Sequence, residues 1–222
     1  MDRVNSYVFR DYPAYIYLNA YNNLFHGGSF TIGYYLEDPT EDGWSPSISL
    51  YDNLFENIAG SEYGQDLGAG HQTWSYFIYN HHNGYVNSAF TLVGSSGGDV
   101  VRSRADYQTG PLGRYYYPGS GTNLFALVNA GSRSAPYAGL YHYTTQTDQT
   151  KETNSVVDIG YHFVAVDGNS NPIDSDGDGI PDYLEDANGN GVVDNGETDW
   201  QSATALGLKV IITRPKNNSV IP

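Results

Sequence analysis

The sequence predicts an all-β chain, and three observations carry that prediction. Tyr (21) and Gly (26) are abundant, whereas Met occurs once. No stretch repeats apolar residues at helical spacing for three turns. Short runs of Tyr, Val, Ile, Thr and Phe alternate with Asn, Gly, Ser and Pro, the composition of strands and turns. At 222 residues there is room for one core and a small appendage.

Three segments align with one another. Tyr17-Leu18-Asn19-Ala20-Tyr21-Asn22-Asn23-Leu24-Phe25 returns as Ser47-Ile48-Ser49-Leu50-Tyr51-Asp52-Asn53-Leu54-Phe55. A weaker third copy, Ser75-Tyr76-Phe77-Ile78-Tyr79-Asn80-His81-His82-Asn83, follows at a slightly shorter interval. A period near 30 predicts stacked coils, each covering the apolar face of its neighbour. Asn at matching places fits tight turns, since its side chain bonds local backbone and tolerates left-handed geometry. Further strands are expected within 123–132 and 156–163.

These last two pieces carry a resemblance. Leu127 to Gly131 and Val157 to Phe163 resemble the closing coils of bacterial secreted right-handed parallel β-helix proteins, and with the upstream copies the likeness spans 17–163. Asn129 stands where that family usually has Asp, and Arg102 to Gly121 has no counterpart. The resemblance implies the terminal coils of a parallel β-helix; a β-sandwich is the alternative all-β architecture. Residues 1–165 are therefore read as the β domain. Met1 to Tyr15 lacks a basic-then-apolar export signal, and the sequence is read as part of a longer product.

The net charge is −15, and nine of the acids lie between Asp174 and Asp199 without a single Lys or Arg. The remainder holds 16 acids and 10 bases, an unexceptional balance. Such density repels itself unless cations occupy it. Asp174, Asp176, Asp178, Asp182 and Glu185 fall at positions 1, 3, 5, 9 and 12 of a twelve-residue calcium loop, with Gly179 at the sharp turn and the Ile180 carbonyl at position 7. The pattern restarts at the next residue with Asp186, Asn188, Asn190, Val192 (through its carbonyl), Asp194 and Glu197. A disordered acidic linker would not place glycines so regularly. Ca²⁺ is the predicted cofactor, and the first loop, richer in carboxylates, is expected to bind more tightly. The loops abut with no room for flanking helices, and 166–200 resembles a thrombospondin type 3 repeat. That resemblance implies ions strung along a chain of little regular structure, here stiffening a spacer. With no Cys in the sequence, that family's disulfides have no equivalents.

Other chemistry is weakly signalled. Gly94-Ser95-Ser96-Gly97-Gly98 matches a nucleophile-elbow pattern, but the strand-like Asp99-Val100-Val101 follows where a helix is required, so it is read as a turn. His81 and His82, adjacent in an expected strand, should point to opposite faces and fail to chelate one ion. Arg102, Arg104 and Arg114 are the candidates if the fold houses a polysaccharide-active enzyme; acids outside the linker are too sparse to favour that. Tyr21, Tyr51 and Tyr79 are the candidates for sugar stacking in a carbohydrate-binding module. Asn217-Asn218-Ser219 is a formal glycosylation acceptor. Nucleic acid is excluded for want of a basic face. No apolar run approaches the roughly 20 residues of a membrane-spanning helix.

Leu206-Gly207-Leu208-Lys209-Val210-Ile211-Ile212-Thr213-Arg214, within 201–222, reads as a strand that cannot stand alone. It is expected either to open a further domain or to add to the sheet of a neighbouring copy, growing a filament. Taken together, the sequence predicts a secreted, cell-surface, calcium-binding structural or adhesive subunit without catalytic activity.

Overall fold

A computed structural model describes residues 4–10, 17–35, 47–65, 78–89, 91–92 and 95–203. The chain is about 30% strand and 8% helix, so it is all-β. Among the described residues, ten strands build three parallel sheets: β1 (Val4–Arg10), β2 (Tyr17–Tyr21), β3 (Leu24–His26), β4 (Gly28–Tyr35), β5 (Ser47–Tyr51), β6 (Leu54–Glu56), β7 (Ala59–Gln65), β8 (Ile78–His81), β9 (Gly84–Val86) and β10 (Val100–Arg102). The sheet orders are β1-β4-β7, β2-β5-β8 and β10-β9-β6-β3. Successive passes of the chain thus supply one strand to each sheet.

The register settles the period. Tyr21 pairs with Tyr51 and Leu24 with Leu54; Tyr51 then pairs with His81 and Leu54 with Gly84, at one constant offset throughout. The third copy is therefore His81-His82-Asn83-Gly84-Tyr85, two residues from the placement suggested by its Tyr-Asn pair. What aligns the passes is the corner between the first two strands. Asn22, Asp52 and His82 occupy the left-handed region at φ 54, 60 and 53°, where short polar side chains and His are tolerated best. A second corner follows at Gly27, Asn57 and Asn87. Between the corners, Asn23, Asn53 and Asn83 form a ladder. Asn53 is fully buried; its carbonyl oxygen accepts from the Asn23 amide nitrogens, and its Nδ2 donates to Ala20 O at 2.7 Å and to Asn83 Oδ1 at 3.3 Å. At the top, the Asp99 carboxylate takes over this role by accepting from Asn83 N at 2.8 Å.

Alternation along the three-residue strands gives the sheet two apolar faces. Phe25, Phe55 and Tyr85 stack inward at 5.0 and 5.5 Å, nearly coplanar, with Phe30 set edge-on to Phe25 and Phe55. Leu24 and Leu54 belong to a second cluster with Tyr117, Leu124, Leu127 and Ile159. A sheet buried on both sides accounts for consecutive apolar residues where a half-exposed sheet would alternate. Gly84 stands in the Leu column because a Cβ there would lie 2.9 Å from Leu54 Cδ1 and 3.0 Å from Leu127 Cδ2.

The cover over this outer face is the segment from 103 to 165. The expected strands within 123–132 and 156–163 are not coils of the stack. Leu124–Leu127 is a turn of 3-10 helix, and Val156 to Tyr161 contributes only an isolated bridge from Val156 to Ser134. Their Leu and Ile face the sheet, while their polar groups tie down the first corner. Asp52 accepts from Ser132 N at 2.6 Å and Ser132 Oγ at 2.8 Å; Asn22 Nδ2 donates to Asp158 O at 3.1 Å. Hairpin strands β11 (Gln108–Gly110) and β12 (Gly113–Tyr116), and the short antiparallel pair β13 (Tyr143–Thr144) and β14 (Phe163–Val164), complete the cover.

The acidic segment is docked against this cover, which is a departure from the spacer expected of it. Tyr141 N donates to Gly189 O at 3.0 Å, and Gly139 and Gly189 meet backbone to backbone with no room for a Cβ on either. Trp200, 8% exposed, packs edge-on to His142 at 4.9 Å, and the Lys151 ammonium lies over its ring. The strand expected over Leu206 to Arg214 lies outside the described residues. No helix among the described residues is long and apolar enough to cross a membrane.

Candidate metal centre

Both predicted loops have the same internal wiring. In the first, Asp174 accepts from Gly177 N and Gly179 N at 2.8 and 3.0 Å, Asp176 from Asp178 N at 3.0 Å, and Asp178 from Ile180 N at 2.9 Å. Twelve residues on, Asp186 accepts from Asn190 N and Gly191 N at 3.1 and 2.6 Å, Asn188 from Asn190 N at 3.0 Å, and Asn190 from Val192 N at 2.7 Å. Left-handed backbone at Gly177 and Gly179, and again at Gly189 and Gly191, makes these turns possible.

In the first loop, Asp174, Asp176 and Asp178 each bring an oxygen within 4.8 Å of the others. Glu185 comes from the one-turn helix α1 (Asp182–Glu185) and is 2% exposed. Neither of its carboxylate oxygens makes a hydrogen bond, and Asp176 Oδ2 is likewise buried and unpartnered. Burial pushes the Glu185 carboxyl up. Thr198 offsets part of that, and the charges of Asp176, Asp178 and Asp182 push it further. Asp176 is raised for the same first reason. Buried polar atoms are normally satisfied, and an unpaired buried carboxylate is expensive. A cation among these oxygens would remove every one of those penalties, so the cluster could hold a metal ion; a donor set of oxygens alone suits a hard one.

The other predicted ligands are placed differently. Asp182 is buried and turned away, accepting from Ser175 N at 2.6 Å, Ser175 Oγ at 2.7 Å and Lys151 Nζ at 3.3 Å. Its role is to hold the loop closed. Asp186 is buried against His142 Nε2 at 2.9 Å. In the second loop, Asp194 Oδ2 accepts from Asn188 Nδ2 at 2.8 Å and Asn190 Nδ2 at 2.7 Å, which holds the Asp194 carboxyl below its ordinary range. Glu197 accepts from Asn188 N and Asp194 N. The amides at positions 3 and 5 thus neutralise locally what three carboxylates leave open in the first loop. Ile180 and Val192 enter through their main chains, Val192 with its side chain exposed.

A second acidic group escaped the sequence. Glu152, Asp158 and His162 are buried within 4.8 Å of one another, at spacings that match no ligand motif. Here every side-chain polar atom is spoken for. Glu152 Oε1 meets His162 Nε2 at 2.8 Å and Asp158 N at 3.1 Å, and its Oε2 accepts from Ser155 Oγ at 2.5 Å. Asp158 accepts from Asn129 N at 2.7 Å and from the Thr145 hydroxyl. His162 Nδ1 faces Gly160 O at 3.0 Å. Saturation of this kind makes it a structural knot under the cover, and Asn129 contributes through its backbone, so an Asp there is not needed. Burial, and then the Glu152 charge, push the Asp158 carboxyl up to about 6. A folded-state pKa raised above the unfolded value of about 3.9 gives stability that is full below the unfolded value and fades as pH rises through 6. Wild type is therefore expected to gain about 1–2 kcal/mol from this group between pH 7 and pH 5, and Asp158→Asn to flatten that gain, read as the difference in urea unfolding free energy. An unchanged pH slope would count against the assignment.

Two further sequence readings meet the structure here. His81 and His82 do converge, Nδ1 to Nδ1 at 2.8 Å. The expectation that they diverge fails because His82 sits at the left-handed corner, where strand alternation does not apply. Tyr51 is sandwiched between Tyr21 at 5.5 Å and His81 at 4.1 Å, and Arg133 lies over Tyr21. Tyr21 and Tyr79 are exposed at 38% and 56%, yet a sugar needs a free ring face, and Tyr51 offers none. Ser96, Gly97 and Gly98 form a corner that leads into β10, without a helix. Arg102 closes β10, with its Nη1 on Val101 O. Compared with known proteins, the chain finds no matching family model, no matching curated protein and no matching solved structure.

Proposed function

We propose that this chain is an extracellular, calcium-binding module with a structural or adhesive role rather than a catalytic one, comprising terminal coils of a right-handed parallel β-helix followed by a thrombospondin type 3-like calcium segment. The observation that carries the reading is Glu185, whose two buried oxygens have no hydrogen-bond partner and lie close enough to Asp176 and Asp178, two of the three clustered aspartates, to feel their charge. Calcium takes six to eight oxygens in flexible geometry, which a loop of carboxylates and carbonyls supplies without a rigid octahedral cage. Sites of this class bind at about 10⁻⁴ to 10⁻³ M, weak enough to fill only where calcium is plentiful, as outside cells. The parallel pairing in all three sheets of the stack favours stacked coils over a sandwich, whose sheets are antiparallel. The sandwiched Tyr51 speaks against the sugar-binding alternative on that face.

Calorimetric titration of the full chain with Ca²⁺ and, separately, Mg²⁺ tests the metal; a saturable calcium heat is expected, and its absence ends the reading. For self-assembly, we propose that Leu206 to Arg214 adds to the sheet of a neighbouring copy. Deleting 206–222 should then abolish filaments in electron micrographs of calcium-loaded material, whereas filaments that persist without the segment sink that part of the proposal.

A further inference from the structure

We infer that metal binding at the first loop and docking of the acidic segment onto residues 139–152 are one coupled equilibrium, with His142 as a positioning residue for a site it does not touch; this rests on the calcium reading above. The connection runs through α1. Four residues cannot hold a helical turn unaided, so its geometry is imposed by what grips it. Its last residue is Glu185, the buried carboxylate without a hydrogen-bond partner that feels the charges of Asp176 and Asp178. Its first, Asp182, is gripped by Lys151 at 3.3 Å, and the residue after it, Asp186, accepts from His142 Nε2 at 2.9 Å. These two grips come from the cover of the parallel stack, while Ser175 of the loop adds two hydrogen bonds of its own to Asp182.

His142 is itself immobilised. It is 2% exposed, with Tyr141 and Trp200 edge-on at 5.0 and 4.9 Å, and its carbonyl accepts from Ala165 N at 3.1 Å. Its Nδ1 is buried without a hydrogen-bond partner, 3.7 Å from Asp182 Oδ2. Removing the ring therefore removes the cover's grip on Asp186.

Two ends of one short element are thus fixed by two agents, the ion at Glu185 and the cover at Asp182 and Asp186. Docking pre-places Glu185, so less ordering remains for the ion to accomplish. By reciprocity, the bound ion must strengthen docking by the same factor.

The test is calorimetric calcium titration of full-length wild type and His142→Ala, with amide hydrogen exchange of wild type in calcium and in chelator. The variant is expected to bind roughly tenfold more weakly, within the usual range of coupling between sites. In wild type, calcium should slow exchange at Tyr141, whose amide bonds Gly189 O across the docking surface. Equal affinity in the two proteins, or calcium-insensitive exchange at Tyr141, overturns the coupling while leaving a calcium site in place. No heat in wild type overturns both. Should His142→Ala fail to fold, the exchange measurement on wild type decides alone.

Discussion

Calcium at a hundredfold excess over its dissociation constant is expected to stabilise the folded chain by about 2.7 kcal/mol, which for a protein of this size raises the thermal midpoint by roughly 5–10 °C. Glu185→Gln should behave oppositely in the two states. Without metal, the substitution removes a buried charge that has no hydrogen-bond partner, so the midpoint should rise. With metal, a carboxylate ligand is lost, and most of the calcium-induced gain should disappear. Scanning calorimetry of both proteins in calcium and in chelator checks this. If Glu185→Gln destabilises the metal-free protein, the carboxylate is already compensated by something other than an ion, and the site as drawn is wrong.

Asn53→Leu is expected to be the most damaging single change in the parallel stack. Leucine is close in size but returns none of the side-chain hydrogen bonds, leaving Asn23 N without its acceptor and removing the amide donors to Ala20 O and Asn83 Oδ1. At about 1–3 kcal/mol for each unsatisfied buried group, the loss should reach roughly 3 kcal/mol or more by urea unfolding. Asn23→Leu, at the more exposed end of the same ladder, should cost distinctly less. Equal, small losses would mean that the ladder is incidental and that the stacked rings of Phe25, Phe55 and Tyr85 alone hold the passes in register.

What the sequence disclosed was what repeats locally. The Tyr-Asn-Asn-Leu-Phe corner is legible because left-handed backbone and a buried amide demand particular residues at each pass, and the two acidic loops because glycines and acids alternate within twelve positions. The third pass was misplaced by two residues: its corner carries His82 and its Leu column Gly84, so identity misled where backbone geometry did not. The cover was illegible for a different reason. Ser132 reaches back to Asp52 and Asp158 to Asn22, over sequence separations of 80 and 136, and contacts so remote impose no local period. The same holds for Glu152, Asp158 and His162, whose common surroundings are made by folding and not by spacing. The docked state of the acidic segment was hidden because its partners, His142, Lys151 and Trp200, are unremarkable one by one.

That difference in span has a kinetic corollary. Neighbouring passes of the stack join groups separated by 30 or fewer in sequence, as in the Asn23–Asn53 contact, whereas fastening the cover to the first corner joins groups separated by up to 136. Loop-closure entropy grows by only about 0.6 kcal/mol per doubling, so the penalty for the longer loop is modest, about 1 kcal/mol. The distant groups, however, can meet only after neighbouring passes have formed the sheet face and corner they bind. Refolding should therefore run from the stack outward, with the cover and then the acidic segment joining last.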